Sequence, residues 1–303
     1  MIATLVAGCL PVWVSLAARA NWVAELACHF AWQNAAAAAL TLLVAFAARK
    51  KQLAGFAVLT LALCLWRVAP LCLPTGAADS GGETFRVMTL NVLSSNGRFA
   101  DVLALVERED PDLLLLVEGR DRWSEPLAPL REAYPVHLKR IRRDDFGLEF
   151  FSKLPAEWVQ VQEFGGGEIP SVVAQLEFGG KPFTFVGTHP LPPISALYSQ
   201  SRDDQLAAVA AFARGEPGPV VMAGDLNLSP FSPCFSDLLE GGDLRDSGRG
   251  FGFQPTWSPT WLWLGLPIDH VLHTPDFVVR TRRVSPSVGS DHRAVIVDFA
   301  FAE

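Results

Sequence analysis

Three stretches near the amino terminus constrain this chain more than anything else in it. Residues 2–18, 31–48 and 53–73 are predominantly apolar; the first two carry no charged side chain and the third carries only Arg67. Each approaches the ~20 residues with which a helix crosses a ~30 Å hydrocarbon layer. The sequence therefore predicts about three transmembrane helices over residues 1–73. The first run also resembles a signal peptide, with Ala18-Arg19-Ala20 as a small-residue cleavage site, but no Lys or Arg precedes it, which favours retention. Arg49, Lys50 and Lys51 form the densest basic cluster of this region, and short loops of that kind stay cytoplasmic. The expected location is the inner (plasma) membrane, with everything after Leu73 extracytoplasmic.

Charge divides the chain at the same place. The first 80 residues hold five basic and two acidic side chains, net +3, so the rest carries −10 of a total of −7. An acidic domain is a poor general binder of long nucleic acid, which needs a basic track. It suits a small or membrane-held anion if metal ions supply positive charge. Of the five cysteines only Cys234 lies beyond the apolar region, which excludes a disulfide within the large domain.

Residues 74–83, PTGAADSGGE, read as a linker, and residues 84–303 as one domain. Short apolar runs recur through it: FRVMTLNVL, DLLLLVE, LEFFS, SVVAQLEF, FTFVGTH, PVVMAGDLN, DHVLHT and AVIVDFAF. Helical spacing is confined to two places, around Phe99–Val106 and Leu206–Ala213. Strands outnumber helices and short turns separate many of them, which predicts an α+β class: a two-layer β-sandwich flanked by helices.

The run of leucines from Leu113 to Leu116 reads as a strand buried on both faces, yet it ends on Glu118, a residue type seldom buried without a partner. The same happens elsewhere. Runs end on, or are followed by, Asn91, His189, Asp225 with Asn227, Asp269, and Asp291 with His292. Singly, each has an ordinary role as a turn residue, cap or solvated strand end. Together they predict that the core strands point at one polar cluster. Hard divalent cations such as Mg²⁺ or Mn²⁺ take carboxylate and amide oxygens, for which Asn91, Glu118 and Asp291 are candidates. Asp225 and Asn227 suit the positioning of a water molecule. His292, held by a carboxylate such as Asp269, suits a general base or a stabiliser of developing charge, and His189 a second donor to a phosphoryl group.

The series TLNV, LLLLVEG, GTH, GDLN, PIDHVL and GSDHRAV resembles, in order and approximate spacing, the motifs of the endonuclease/exonuclease/phosphatase superfamily, from about Phe85 to Phe299. The likeness extends to a bacterial branch that places this domain behind several membrane spans. It implies a DNase I-like sandwich and Mg-dependent phosphoric ester hydrolysis. It also carries over Asn91, Glu118 and Asp291 as metal residues, Asp225 and Asn227 as water-positioning residues, His189 as a phosphate contact, and Asp269 with His292 as a carboxylate–histidine pair. The resemblance leaves the substrate open, since the superfamily includes nucleases, inositol-phosphate phosphatases and sphingomyelinases. The expectation is a membrane-anchored phosphodiesterase acting on a phosphoester, a lipid-linked one included. An extracytoplasmic endonuclease and a non-catalytic membrane scaffold are the alternatives. Lys139–Arg143, KRIRR, is the one basic run, and reads equally as a solvated loop. Trp257, Trp261 and Trp263 read either as a loop dipping toward lipid headgroups or as core packing. Arg202 and Gln205 read as capping or surface residues at the start of a helix, and His29 and Trp32 as membrane-interface residues.

Overall fold

The computed structural model describes residues 2–73, 81–258 and 264–302. In it the leucine run is a strand in which all five residues are buried, as its composition predicts. In chain order the strands are β1 (Phe85–Asn91), β2 (Leu113–Val117), β3 (Val136–Arg140), β4 (Leu148–Ser152), β5 (Ala156–Glu163), β6 (Pro170–Phe178), β7 (Lys181–Thr188), β8 (Val220–Asp225), β9 (Arg245–Asp246), β10 (Asp269–His273), β11 (Phe277–Val284) and β12 (Val295–Phe301). They form two six-stranded sheets, ordered β11-β12-β1-β2-β4-β3 and β5-β6-β7-β8-β10-β9. The helices are α1 (Ile2–Val14), α2 (Trp22–Leu26), α3 (Ala31–Ala47), α4 (Lys51–Cys72), α5 (Phe99–Glu109), α6 (Leu130–Ala133), α7 (Ala196–Gly215) and α8 (Pro233–Gly242).

Period-2 alternation sorts the β2 side chains between two cores. Leu113, Leu115 and Val117 face the other sheet, among Phe85, Phe150, Phe183 and Phe185. Leu114 and Leu116 face outward onto Val102, Leu105 and Val106 of α5 and onto Trp123. On the far side Val186 and Met222 pack on Leu206, Val209 and Phe235 of α7 and α8. Each fully buried Leu or Phe contributes about 1.5–3 kcal/mol by transfer from water, so the three cores together drive the sandwich. The predicted α+β layout is thus observed.

Strands β3, β5, β9 and β11 and helix α8 are found where no element was expected. The burial pattern explains the omission: β5 has no buried position, and its three half-buried positions do not alternate with exposed ones, so the period-2 signal is missing. KRIRR begins inside β3 rather than in a loop. Lys139 pairs with buried Glu149 at 3.2 Å and Arg142 with Asp144 at 2.7 Å, so the run spends charge on its own neighbours.

At the amino end, Trp22–Ala47 and Lys51–Cys72 are long and apolar enough to cross a membrane, while the first predicted span is a shorter helix. The second begins at Trp22, before the expected residue 31. Of the expected linker, residues 74–80 lie outside the described residues. The helices pack on one another through contacts such as Trp13 Nε1 donating to Thr60 Oγ1 at 3.0 Å. They also dock on the sandwich at one end. Arg19 pairs with Asp237 at 2.8 Å, the Gly252 amide donates to Leu71 O at 2.6 Å, and Gln33 Nε2 donates to Gly265 O at 3.2 Å.

The centre of that contact is ionic. Arg202 lies in the interior of α7, not at its start, and is 0% exposed. Its guanidinium lies 3.3 Å from Glu25, 2.8 Å from Asp203 and 3.1 Å from Asn227 O. The capping or surface role expected for Arg202 is therefore wrong, as is that for Gln205, which is buried and donates to Thr188 Oγ1. A buried charge needs a partner, and Glu25 is a partner that only the folded chain brings within reach. The Arg49–Lys51 turn lies at the other end of α3, roughly 26 Å away for 17 helical residues.

Candidate active site

The polar strand ends converge at one edge of the sandwich because parallel pairs lie side by side there. β1 and β2 run parallel and deliver Asn91 and Glu118 together; β7 and β8 run parallel in the other sheet and deliver His189 and Asp225. β10 runs antiparallel to β8, with Asp269 in register with Asp225. The loop entering β12 adds Asp291 and His292. Two backbone features aim these groups. Glu118 and Asn227 sit in the left-handed region, with φ of 63° and 50°, a conformation costly for such residues and common at functional sites. Gly224, which opens GDLN, has φ 149°, and a Cβ there would lie 1.8 Å from Thr188 O. Only glycine fits between β8 and β7 at that point.

Six of the eight predicted residues line one cleft of ≈ 530 Å³: Glu118, His189, Asp225, Asn227, Asp291 and His292. The other two lie behind them, both buried. Asn91 Nδ2 donates to Glu118 Oε1 at 2.7 Å and to Asp225 Oδ2 at 3.0 Å. Asp269 Oδ2 lies 2.9 Å from His292 Nδ1. Asp225 sits between the two histidines, 3.6 Å from His189 Nδ1 and 3.6 Å from His292 Nε2. His189 Nε2 is 3.6 Å from Glu118 Oε1, and its ring stacks on Phe146 at 5.4 Å. Asn227 donates its side-chain amide to Pro190 O and its backbone amide to Asp225 Oδ1, both at 3.0 Å.

This packing sets the charge states. Burial alone would discharge the His292 ring, but Asp269 and Asp225 outweigh it and hold the pKa up at about 10. Its Nδ1 lies 2.9 Å from Asp269 Oδ2, and its Nε2 lies 3.6 Å from Asp225 Oδ2 and 3.5 Å from Asn91 Nδ2. Burial works likewise against His189, and Glu118 and Asp225 raise it. Burial opposes the ionised form of Asp225 too, yet the two histidines and the Asn91 amide keep its carboxyl below the ordinary range. Burial raises the Asp269 carboxyl, and His292 beside it opposes that rise. A His292 pKa held up in this way suits the ring to donate to developing charge.

A pH dependence follows. The folded pKa of His292 lies above its ordinary 6.5, so its contribution to stability is complete below about 6.5 and lost as pH rises through about 10. Activity is expected to fall on the alkaline side over the same window. Asp269→Asn removes the largest partner that raises the pKa, so it should move that limb to lower pH, which a kcat/KM pH profile measures.

The donor set fits a hard cation. Ligand atoms of Glu118, His189 and Asp225 lie within 4.8 Å of one another, as do those of Asp225, Asp269 and His292. Asp291 is in neither group but lines the same cleft. Its Oδ2 accepts from Trp257 Nε1 at 3.0 Å, while its Oδ1 is buried without a hydrogen-bond partner. An orphaned buried carboxylate oxygen is what a bound cation would satisfy.

Three supporting residues, Thr256, Ser290 and Ser229, escaped the sequence reading. Thr256 Oγ1 accepts from the Asp269 amide at 3.1 Å, and Ser290 Oγ donates to Asn91 O at 2.7 Å while accepting from the His292 amide. Trp257 is half-buried and holds Asp291 through its indole N–H; Trp261 and Trp263 lie outside the described residues. His29, expected at a membrane interface, is buried, and its Nδ1 lies 2.8 Å from Ser229 Oγ, two residues past Asn227. Ser290 and Ser229 do follow motifs directly, in GSDH and GDLNLS, and that adjacency was the available signal.

Two packed mixed sheets with helices outside are the DNase I-like sandwich. The chain belongs to the Endonuclease/Exonuclease/phosphatase family, whose sequence model matches residues 88–292. Members of this family hydrolyse phosphoester bonds and generally use a divalent metal. The structure of D. rerio TDP2 complexed with single-strand DNA product is similar at a TM-score of 0.61 and 17% identity, over 72% of this chain and 99% of that one. An endonuclease/exonuclease/phosphatase from Beutenbergia cavernae gives 0.58 and 22%, over 72% of each chain. Sphingomyelinase C from Streptomyces griseocarneus gives 0.55 and 19%, over 71% of this chain and 99% of that one. No curated protein matches the chain in sequence.

Proposed function

We propose that this protein is a membrane-anchored, Mg²⁺- or Mn²⁺-dependent phosphodiesterase whose catalytic domain faces away from the cytoplasm. The observation that carries the reading is the buried Asp225 carboxylate set 3.6 Å from each of two histidine rings, with Glu118 and Asp291 opening onto the same cleft. Glu118 and Asp291 are the cleft carboxylates that would hold the metal, and Asn91, expected to join them, stands behind and donates its side-chain amide to Glu118 Oε1. When bound, the ion supplies positive charge to the phosphoryl oxygens and the leaving group.

The chain's own groups account for the rest. Asp225, ionised at neutral pH, accepts a proton from a water whose oxygen bonds to phosphorus as the ester P–O bond breaks. Asn227 helps to place that water. His292 and His189 donate to the phosphoryl oxygens, whose negative charge grows in the transition state. The departing alcohol oxygen takes a proton from solvent, so a diester and water give a monoester and an alcohol. Asp269 is a positioning residue: it touches His292 and does not line the cleft.

Membrane anchoring is supported by the two long apolar helices and by their outer surfaces, where Leu43 and Phe46 are 68% and 84% exposed. The docking end of the helices is opposite Arg49–Lys51, which supports a catalytic domain across the bilayer from that basic turn. The test is turnover of bis(4-nitrophenyl) phosphate by the purified full-length chain. It is expected with Mg²⁺ or Mn²⁺ and abolished by chelator; turnover that survives chelation refutes the metal dependence. Protease added outside spheroplasts should digest the domain, and protection there refutes the orientation.

A further inference from the structure

The cleft has a second wall that the hydrolase motifs do not supply. Leu26 at the end of α2, and His29 and Phe30 from the segment joining α2 to α3, line it together with Glu118 and Asp225, and Pro192, Ile194 and Leu266 add apolar surface. This wall is fixed in place. His29 is bonded to Ser229, just past the GDLN turn, and Glu25, one turn before it, is 3.3 Å from buried Arg202. Two of the apolar lining residues, Phe30 and Ile194, are partly or largely exposed, and exposed apolar side chains follow them in sequence on α7 and precede them on α2. Phe30 is 38% exposed, Ile194 71% and Leu197 75%, while Val23 on α2 is 52% exposed. Large side chains so exposed beside a functional cleft mark contact with something apolar. Phe30 is followed directly by α3, within a stretch long and apolar enough to cross a membrane, so the apolar end of the cleft opens where that helix would enter the bilayer.

Resting on the phosphodiesterase reading, we propose that the substrate is an amphiphile resident in the same bilayer. Its phosphoester lies among Glu118, His189, Asp225 and His292, and the adjoining hydrocarbon lies against Leu26, Phe30 and Ile194. One end of the cleft offers charge for an anion and the other offers apolar surface, which matches a lipid-linked phosphodiester. A nucleic-acid strand needs a basic track for its repeating charge, and in the one basic run Lys139 and Arg142 already pair with Glu149 and Asp144. Substrate would reach the site laterally from the membrane, and the helices would form part of the binding site as well as the anchor.

The test uses the full-length chain in dodecyl maltoside micelles with Mg²⁺, and two chromogenic diesters, 4-nitrophenyl hexadecyl phosphate and 4-nitrophenyl methyl phosphate. The quantity read is the ratio of their kcat/KM values, compared between variants so that partition into the micelle cancels. Phe30→Ser and Ile194→Ser should each lower the ratio about tenfold, because each removes apolar surface from the hydrocarbon's wall. Val161→Ser, on the outer strand β5, should leave it at the wild-type value. Both side chains at the mouth are exposed enough for the variants to fold. Ratios within about twofold of wild type in both variants would overturn the proposal. So would a single-stranded oligonucleotide cleaved with a higher kcat/KM than the hexadecyl ester. Failure to turn over either ester would instead sink the hydrolase reading, so the two failures are distinguishable.

Discussion

Asp225→Asn is expected to lower kcat for a small phosphodiester by about 10³–10⁴-fold while leaving the fold intact. Asparagine has nearly the same shape, and its side-chain oxygen can still accept from the Asn227 amide, so the turn after β8 should survive. What it cannot do is take a proton from water, or offset the two rings that lie 3.6 Å from the carboxylate. Both histidines owe part of their raised pKa to Asp225, so the substitution should also lower theirs. Two signatures follow: the loss of rate, and an alkaline limb moved to lower pH in whatever activity remains. A melting temperature near that of the wild type would show that the loss is chemical. Retention of more than a tenth of wild-type kcat would remove Asp225 from the role of proton acceptor.

That the site could be anticipated at all comes from strand ends. An apolar run of five residues that stops at Glu118, or a GDLN turn whose glycine admits no side chain, is a local signal, written in adjacent residues. Because the core fixes which way each strand points, six such signals converge without any long-range information. What sequence could not show is what depends on non-local partners. Arg202 looks like a surface residue until Glu25, from another part of the chain, is laid against it. His29 looks like a membrane-interface residue until Ser229 is seen beside it. Strand β5 hides because it packs with few apolar side chains, and α8 because it is short, opens on Pro233 and closes on Gly241 and Gly242, residues that read as turns. The raised pKa of His292 belongs to the same class: the motif names the residue, but only Asp269 and Asp225, brought beside its ring by the fold, hold that pKa up.

Glu118→Gln is the companion experiment, directed at the metal rather than the water. Of the carboxylates in the cleft, Glu118 is the one whose backbone is held at φ 63° to turn it inward from the end of a buried strand. A strand residue kept in so unfavourable a conformation implies that the carboxylate's position matters more than the local cost of about 1–3 kcal/mol. Glutamine keeps the length and one oxygen but loses the charge, and a hard divalent cation depends on that charge. The expected result is a rise of roughly 100-fold in the Mg²⁺ concentration needed for half-maximal activity, with kcat at saturating metal falling less than in Asp225→Asn. Binding of Mn²⁺, followed directly by calorimetry on the chelator-treated chain, should weaken in parallel, and this readout does not depend on turnover. If the variant binds Mn²⁺ as the wild type does and is merely slow, Glu118 acts on its neighbour His189, whose Nε2 lies 3.6 Å away, and the metal must be held by Asp291 and its surroundings instead.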